Sequence, residues 1–219
     1  MFILANHSLD EYVGTVWRLT QYGGTATTSE VASKLGVTSA TTSHMFKKMA
    51  DVGLVEYKEY SGVILTPEGK IAAMRYIRRH RIAERFLVEI LGIPWDRADE
   101  LSDQMEHSLP DEVIDRMEEV MGFPASCPHG YPIPTRDGYL PEIEVKRLSE
   151  LKIGDIAVIA WVYENDPKLL QYFKQHGIVP GETIEVLDRD EVGYTSSIRV
   201  NQSKIVLGSQ IEELVSVKI

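Results

Sequence analysis

The pattern of apolar and polar positions divides the chain into a helical first part and a strand-rich last part. A capping box, Ser8–Glu11, opens a first helix that has an apolar face. A second, short helix, capped by Thr28 or Ser29, ends at Gly36, and a third is predicted over about 38–51. Helix, glycine-containing turn and helix in this order are typical of a helix-turn-helix.

Strand and helix patterns alternate in the next segment. Residues 54–60 and 63–66 alternate apolar and polar side chains on either side of a Ser-Gly pair, which predicts a hairpin. This hairpin would be the wing of a winged helix-turn-helix. A threonine and a proline then open a long helix over 67–91, and two further helices are predicted over 96–108 and 111–121.

The last part of the chain follows an irregular connector. Residues 122–141 contain five of the ten prolines and show no periodicity. Beyond them, short apolar runs predict a small β-barrel-like module, and Asp166 caps one helix over 168–175. The strands are predicted over 156–162, 183–187, 197–201, 205–207 and 214–219.

These elements predict a mainly α chain with a small β domain. We expect an N-terminal winged helix-turn-helix over 1–66, a helical domain with its proline-rich connector over 67–141, and a β-barrel-like domain over 142–219. A chain of 219 residues is long enough for several small domains, each with a modest core.

Composition is that of an ordinary globular protein, with 43% hydrophobic and 26% charged residues. No apolar run reaches the roughly 20 residues of a membrane span, and the first residues lack the basic flank and the length of a signal peptide. The only cysteine, Cys127, excludes an intrachain disulfide and fits a reducing compartment. We therefore expect a cytoplasmic protein.

The net charge of −10 is unevenly distributed along the chain. Residues 1–80 contain nine basic and seven acidic side chains, whereas residues 81–219 contain fourteen basic and twenty-six acidic ones. The N-terminal third can therefore face phosphates, while the remainder can hold cations.

Three carboxylates and an imidazole fall on one side of the helix predicted over 96–108. At about 3.6 residues per turn they form a single stripe. Like charges this close repel and raise one another's pKa unless a cation neutralises them. The pair His80 and Glu84, one turn apart on the long helix, adds further ligand types, so the sequence predicts a divalent-metal site. The stripe consists of Asp99, Asp103, Glu106 and His107.

Several residues of types that can bind metals also have a simpler interpretation that needs no metal. Glu11 could serve only in the capping box, and the acidic stripe could be a solvated helix face near a positive helix start. The segment Cys127–Gly130 could be only a turn, and Asp166 is an evident N-cap.

The third helix carries small polar side chains at its amino end and apolar ones behind. A helix that enters the major groove needs such side chains in its first turns, because those turns approach base edges and phosphates most closely. Lysines on the helix and on the wing would add phosphate contacts. The alternative is that Thr38 is an N-cap and the other hydroxyls are solvated surface. The candidate DNA-binding residues are Thr38, Ser39, Ala40, Thr41, Ser43, His44, Lys47, Lys48 and Lys58.

The order of motifs along the chain resembles a known family. The winged helix is followed by Arg79–Arg85 on the long helix, by Met105–His107 with Asp111–Val113, and then by Cys127–Gly130 and Pro132–Pro134. Nearly the whole chain is similar to the diphtheria-toxin-repressor family of metal-activated transcription regulators, in the longer form with a C-terminal SH3-like domain.

The resemblance implies two groups of metal ligands. The primary site would consist of Glu11, His80, Asp103, Glu106 and His107. The ancillary site would consist of Glu84, Cys127, His129 and Asp166, the last of these from the SH3-like domain. Asp99 stays outside the primary site in this interpretation.

The chain departs from the iron-responding members of that family at two ligand positions. Those members typically have methionine at the position of Glu11 and cysteine at the position of Asp103, whereas both are carboxylates here, as in the manganese branch. That branch often has a second acidic residue where this chain has Gly14. Oxygen ligands with one or two imidazoles favour Mn²⁺ or Fe²⁺ at the primary site, and Cys127 with His129 suits Zn²⁺, Cd²⁺ or Fe²⁺ as a second ion.

The resemblance therefore implies a homodimeric, metal-dependent repressor of manganese or iron homeostasis, which binds a double-stranded DNA operator and is not an enzyme. Its domain over 67–141 would provide dimerisation and metal binding. Three other hypotheses remain open from the residues alone. The chain could be a winged-helix regulator that senses an organic ligand or a protein partner, a metallohydrolase, or a protein with a purely structural metal.

Overall fold

The structure analysed is a computed structural model of the chain. Two parts of the predicted pattern, Ser8 of the capping box and the side chain of His107, lie outside what it describes. The described residues are 9–21, 23–59, 61–164 and 166–219.

Helices dominate the first two thirds of the chain and strands dominate the last third, which confirms the predicted fold class. The helices are α1 (Leu9–Thr20), α2 (Thr28–Leu35), α3 (Ser39–Asp51), α4 (Pro67–Glu89), α5 (Ala98–Met105), α6 (Asp111–Val120), α7 (Pro167–Gln175) and α8 (Ser209–Glu212). The strands are β1 (Val55–Lys58), β2 (Gly62–Leu65), β3 (Lys146–Arg147), β4 (Ile156–Val162), β5 (Thr183–Asp190), β6 (Thr195–Val200), β7 (Ser203–Gly208) and β8 (Val215–Lys218). Short 3₁₀ helices cover Trp95–Arg97, Glu106–Ser108 and Leu148–Glu150.

The contacts divide the chain into two compact units, and the first contains the described residues of Met1–Arg79 together with Pro134–Leu140. Its core is formed by α1, α2, α3, the β1–β2 hairpin and the first part of α4. The ring of Phe46 lies near the middle, with its centroid 6.5 Å from that of Tyr12 and 5.2 Å from that of Tyr57. Aromatic packing thus fixes α3 between the first helix and the wing.

Local capping chemistry sets the ends of the helix-turn-helix elements. Thr27, and not the predicted Thr28 or Ser29, caps α2, because its hydroxyl accepts from the Glu30 N–H while the Glu30 carboxylate accepts from the Thr27 N–H. Gly36 ends α2 in the left-handed conformation as predicted, with φ of 65°. Thr38 caps α3, since its hydroxyl accepts from the backbone N–H of Thr41 at 3.1 Å.

The wing is an antiparallel hairpin in the predicted place. Strands β1 and β2 pair in register from Val55 opposite Leu65 to Lys58 opposite Gly62. The sequence pattern did not predict that Ala26 pairs with Val63 as a third, single-residue strand. Two backbone hydrogen bonds of 3.0 and 2.9 Å join these residues and hold the turn before α2 against the wing.

The second unit contains His80–Ile133 and Pro141–Ile219, so its boundary with the first unit falls inside α4. The helix predicted over 96–108 is divided, because the chain forms α5 between two 3₁₀ helices. The division separates Glu106 from the regular helix that carries Asp103.

The C-terminal part of the second unit is a six-stranded antiparallel sheet with the strand order β3-β8-β4-β5-β6-β7. The predicted strands and the helix α7 are present, whereas β3 and α8 are additional elements. The alternation of buried and exposed residues in β6 and β7 turns one face of the sheet toward a core that includes Phe173 of α7 and Trp95.

One arginine ties this sheet to the segments that cover its end. Arg189 on β5 uses all five N–H donors, which reach the Glu212 carboxylate at 2.6 Å, the Ser196 hydroxyl, and the backbone carbonyls of Leu148 and Leu151. Glu212 is fully buried, so its charge depends on this one guanidinium among the described residues.

We expect Arg189→Met to lower the free energy of unfolding of the second unit by about 3 kcal/mol, because Glu212 would remain buried without a counter-charge. Arg199→Met is the matched control, since Arg199 pairs with Glu185 in the same sheet but that pair is more exposed and should contribute less than about 1 kcal/mol. Native-state hydrogen exchange of β5 and β6 amides measures both values. Equal losses would contradict the special role of the buried pair.

Candidate metal centre

His80 stands between two sets of carboxylates, one at each ring nitrogen. Its Nδ1 lies 2.8 Å from Glu106 Oε2 and 3.3 Å from Asp103 Oδ1. Its Nε2 lies 3.2 Å from Asp99 Oδ1 and 3.8 Å from Glu84 Oε1. His80 and Glu84 lie one turn apart on α4, and the other acids come from α5 and the 3₁₀ turn behind it.

The potential ligand atoms of the described residues form three groups, and within each group all atoms lie within 4.8 Å of one another. The outer group is His80, Asp103 and Glu106, and the side chain of Asp103 is 51% exposed. The inner group is His80, Glu84 and Asp99. The thiolate group is Glu84, Cys127, His129 and Glu164.

The thiolate group combines residues from three separate parts of the chain. Glu84 comes from α4, Cys127 and His129 come from the connector, and Glu164 follows β4. The Nδ1 atom of His129 lies 3.1 Å from Glu84 Oε1 and 3.6 Å from Glu164 Oε2. One sulfur, one imidazole nitrogen and two carboxylates form a closed four-donor set of the kind that binds Zn²⁺ or Cd²⁺.

The ring of His129 is oriented by a backbone carbonyl. Its Nε2 lies 3.0 Å from the carbonyl oxygen of Trp95, which can only accept, so Nε2 carries the hydrogen and Nδ1 faces the other ligands. The backbone of His129 is fixed as well, because its carbonyl accepts from the Val162 N–H at 3.1 Å. Gly130 allows the connector to pack closely against β4, since a Cβ at this position would lie 2.0 Å from the Ala160 carbonyl oxygen.

Arginines on α4 hold the connector that supplies Cys127 and His129. Arg81 donates to the carbonyl of Pro132 at 2.5 Å, and its guanidinium lies 5.2 Å from the centre of the Tyr131 ring. Arg85 donates to the carbonyl of Ser126 at 3.3 Å and lies 3.5 Å from that of Cys127. The helix that carries Glu84 thus also positions the loop that carries the sulfur and the second imidazole.

The buried ligand atoms fit a cation. Both oxygens of Glu84, Nε2 of His80, Nδ1 of His129 and Oε2 of Glu164 are buried and make no aligned hydrogen bond with any described residue. Burying charged or polar atoms without such partners is costly, and an ion with two positive charges would satisfy several of them at once. This is the structural observation that supports metal binding by these residues.

Neighbouring carboxylates raise the pKa values of both histidines. Burial alone would lower the pKa of His80, but Glu84 and three further carboxylates raise it well above its ordinary value. The pKa of His129 is likewise raised well above the ordinary value, because the effects of Glu84 and Cys127 outweigh burial. Without a metal, these rings therefore keep their protons where an ordinary histidine would lose them.

The pKa values of the acidic side chains in the thiolate group shift in different directions. Burial raises the pKa of the Cys127 thiol, and the negative charge of Glu84 adds to the effect. Burial and Glu84 also raise the pKa of Glu164. Burial acts in the same direction on Glu84, but the two histidines reverse it and lower its pKa. Cys127 and Glu164 therefore resist ionisation, whereas Glu84 favours its charged form.

The structure brings together most of the predicted ligands. Asp166 is outside the thiolate group, because its carboxylate accepts from two backbone N–H groups at the start of α7, and Glu164 supplies the acid instead. Asp99, which the resemblance left out of the primary site, belongs to the inner group. Glu11 lies in the first turn of α1 in the first unit, and its ligand role, like that of His107, stays a prediction.

Gly14 has a packing reason to be a glycine. A Cβ at this position of α1 would lie 2.3 Å from a ring carbon of Tyr76, a buried side chain of α4 in the same unit. A larger residue here, such as the acid often present in the manganese branch, would have to displace the ring.

Most of the candidate DNA-binding side chains are exposed on the first unit. Apolar Phe46 and Met49 turn inward and are fully buried, which leaves the polar side of α3 available. Lys58 is exposed on β1 of the wing, and Ser43 is half-buried. The exposed members on or next to α3 are Thr38, Ser39, Ala40, Thr41, His44, Lys47 and Lys48.

Fold and site together define a winged helix-turn-helix regulator whose helices carry candidate metal ligands. Residues 6–63 match the family model described as iron dependent repressor, N-terminal DNA binding domain. Residues 66–135 match iron dependent repressor, metal binding and dimerisation domain, and residues 146–219 match the FeoA domain. None of the described helices is long and apolar enough to span a bilayer.

Full-length relatives agree with these matches. The diphtheria toxin repressor of Corynebacterium glutamicum is 32% identical over 206 residues, which span 92% of this chain and 89% of that protein. The iron-dependent repressor IdeR of Mycobacterium tuberculosis is 29% identical over 187 residues, 80% of this chain and 81% of that one. The chain therefore belongs to the iron-dependent repressor family of metal-dependent transcriptional repressors, which also includes the diphtheria toxin repressors.

Solved structures share the fold over nearly the whole chain. One, described as a manganese-dependent transcriptional repressor in complex with manganese, has a TM-score of 0.90 at 31% identity and covers 96% of this chain and 99% of that chain. The structure of ScaR with bound Cd²⁺ has a TM-score of 0.80 at 27% identity, with coverages of 97% and 99%. These similarities confirm the predicted order of helix-turn-helix, helical and SH3-like parts.

The raised pKa values of His80 and His129 predict that metal affinity increases with pH. An ion needs the neutral ring, so binding displaces protons, and affinity should rise about tenfold per pH unit for each proton displaced. Calorimetric titration of Mn²⁺ or Cd²⁺ in two buffers with different ionisation enthalpies counts these protons. His176→Ala is the control, since this ring bonds the Tyr172 carbonyl on α7 outside the groups. Affinity that is constant between about pH 6 and pH 8 would contradict the prediction.

Proposed function

We propose that this chain represses genes of manganese or iron homeostasis and that a divalent cation, held by its buried carboxylates and imidazoles, activates it for operator binding. The observation that carries the proposal is the set of buried ligand atoms on Glu84, His80 and His129 that make no aligned hydrogen bond with a described residue, in a chain that also contains a winged helix-turn-helix. We further propose that the protein acts in the cytoplasm and is not an enzyme.

The proposed metals follow from the donor atoms. The outer group offers oxygen atoms with one imidazole, and with Glu11 and His107 as proposed further ligands it suits Mn²⁺ or Fe²⁺. The thiolate group includes Cys127 and suits Zn²⁺ or Fe²⁺ as a second ion. Relatives support the choice of ions, because one is described with manganese bound and ScaR is described with bound Zn²⁺ and with bound Cd²⁺.

The proposed DNA contact is made by the exposed polar side of α3 and by the wing. The exposed residues at the start of α3, from Ser39 to Thr41, would read base edges, while Lys47, Lys48 and Lys58 would contact phosphates. The match of residues 66–135 to a dimerisation domain supports a homodimer, which would place two such helices on successive major-groove faces of one operator.

The proposed activation is a population shift. When bound, the cation supplies positive charge that offsets the repulsion among the buried carboxylates. His80 would bind as the neutral ring, and the side chains of α4 and α5 that provide ligands would be held in one arrangement. This arrangement is proposed to favour the conformation that binds DNA, so that metal and operator each strengthen the binding of the other.

Operator binding by the full chain, measured at fixed ionic strength with and without Mn²⁺, tests the proposal. We expect Mn²⁺ to increase the affinity by about 5- to 150-fold. Asp103→Ala should remove most of this increase, because the outer group loses a ligand. Glu100→Ala, a change of the same charge at an exposed position of α5, should retain it. Affinity without metal that equals the affinity with metal would overturn the proposal.

The salt dependence of operator binding tests the proposed contact of α3. We expect Lys47→Ala to weaken binding similarly for different DNA sequences and to reduce the slope of log affinity against log salt by about 1, since one phosphate contact is lost. Lys204→Ala, an exposed lysine of β7, is the control and should leave the slope unchanged. Equal slopes for the Lys47→Ala protein and the unaltered chain would show that Lys47 lies outside the interface.

A further inference from the structure

Glu84 is a ligand candidate in two of the three groups formed by the described residues. Its Oε1 lies 3.1 Å from Nδ1 of His129 in the thiolate group and 3.8 Å from Nε2 of His80 in the inner group. The side chain is fully buried, and neither oxygen makes an aligned hydrogen bond with another described residue. The two groups therefore depend on one and the same carboxylate.

We propose that Glu84 makes the thiolate group and the inner group exclude each other, so that an ion in one weakens the binding of an ion in the other. The inference rests on the metal binding proposed above and adds a regulatory consequence. A thiophilic ion such as Cd²⁺ or Zn²⁺ in the thiolate group and a hard ion such as Mn²⁺ in the inner group would compete for Glu84, although their other ligands differ.

The number of donors decides which group can lose Glu84. Without it, the inner group keeps only Nε2 of His80 and a carboxylate oxygen of Asp99. The thiolate group would still keep Cys127, His129 and Glu164. Protein sites that hold a divalent ion firmly usually provide about three or four ligands, so the inner group cannot hold its ion once Glu84 is engaged by the thiolate group.

A carboxylate can also bridge two ions when each ion takes a different oxygen. Here the nearest Glu84 oxygen to His129 Nδ1 and to His80 Nε2 is the same atom, Oε1. This geometry favours competition over bridging.

The outer group is independent of Glu84 but shares His80 with the inner group. It uses Nδ1, whereas the inner group uses Nε2, and a neutral imidazole has one lone pair to give. An ion in the inner group would therefore take His80 away from Asp103 and Glu106. By keeping the inner group empty, an ion in the thiolate group leaves His80 available to the outer group.

The test is the binding of Cd²⁺ to the metal-free full chain at increasing Mn²⁺ concentration, followed by the thiolate-to-cadmium charge-transfer absorbance of Cys127. We expect saturating Mn²⁺ to raise the apparent dissociation constant for Cd²⁺ by at least about fivefold, the lower end of ordinary coupling between sites. Asp99→Asn, and as a second variant Asp99→Ser, should remove this effect, because the inner group loses its remaining carboxylate. Glu100→Gln, the matched change of charge on α5, should preserve it.

Two results would overturn the exclusion. Competition that persists unchanged in both Asp99 variants would mean that Mn²⁺ enters the thiolate group itself. Cd²⁺ binding that Mn²⁺ leaves unchanged or strengthens would mean that Mn²⁺ does not compete for Glu84, either because it binds the outer group or because Glu84 bridges two ions. A Cd²⁺ titration without any thiolate absorbance would instead refute the proposed thiolate site, and this inference with it. The experiment therefore distinguishes failure of the thiolate site from failure of the exclusion alone.

Discussion

The burial of charged ligand atoms without hydrogen-bond partners is the constraint on which the rest of this structure depends. Glu84, His80 and His129 are each at most 1% exposed, yet atoms of all three lack aligned partners among the described residues. Such an arrangement is costly for the protein alone, and a cation with two positive charges relieves it. Metal binding would therefore also stabilise this part of the fold, because the cation would offset the cost of burying these atoms.

Helix α4 positions most of the candidate ligands. It carries His80 and Glu84 on one face, and its arginines hold the connector that presents Cys127 and His129. The carbonyl of Trp95, whose side chain packs in the core of the C-terminal sheet, then orients the His129 ring. The candidate ligands are thus held in place by packing and backbone hydrogen bonds, an arrangement that favours selective metal binding.

Features that depend on neighbouring residues could be predicted from the sequence, whereas features that depend on tertiary contacts could not. The helix end at Gly36 follows from local backbone chemistry and was predicted, and the cap at Thr38 was the alternative interpretation of that residue. Helical spacing placed Asp103 and Glu106 on one stripe, whereas their grouping with His80 was implied by the family resemblance. The grouping of Glu164, in place of Asp166, with Cys127 and His129 was not predicted. The cap at Asp166 was predicted, but only the tertiary fold brings Glu164 to the thiolate group.

The most direct test of this account is the affinity of the full chain for Mn²⁺ with and without operator DNA at fixed salt, read from the electron paramagnetic resonance signal of free Mn²⁺. The account predicts that the operator tightens Mn²⁺ binding by the same factor by which Mn²⁺ tightens operator binding, because a coupling free energy is reciprocal. Identical Mn²⁺ affinity with and without the operator would contradict it.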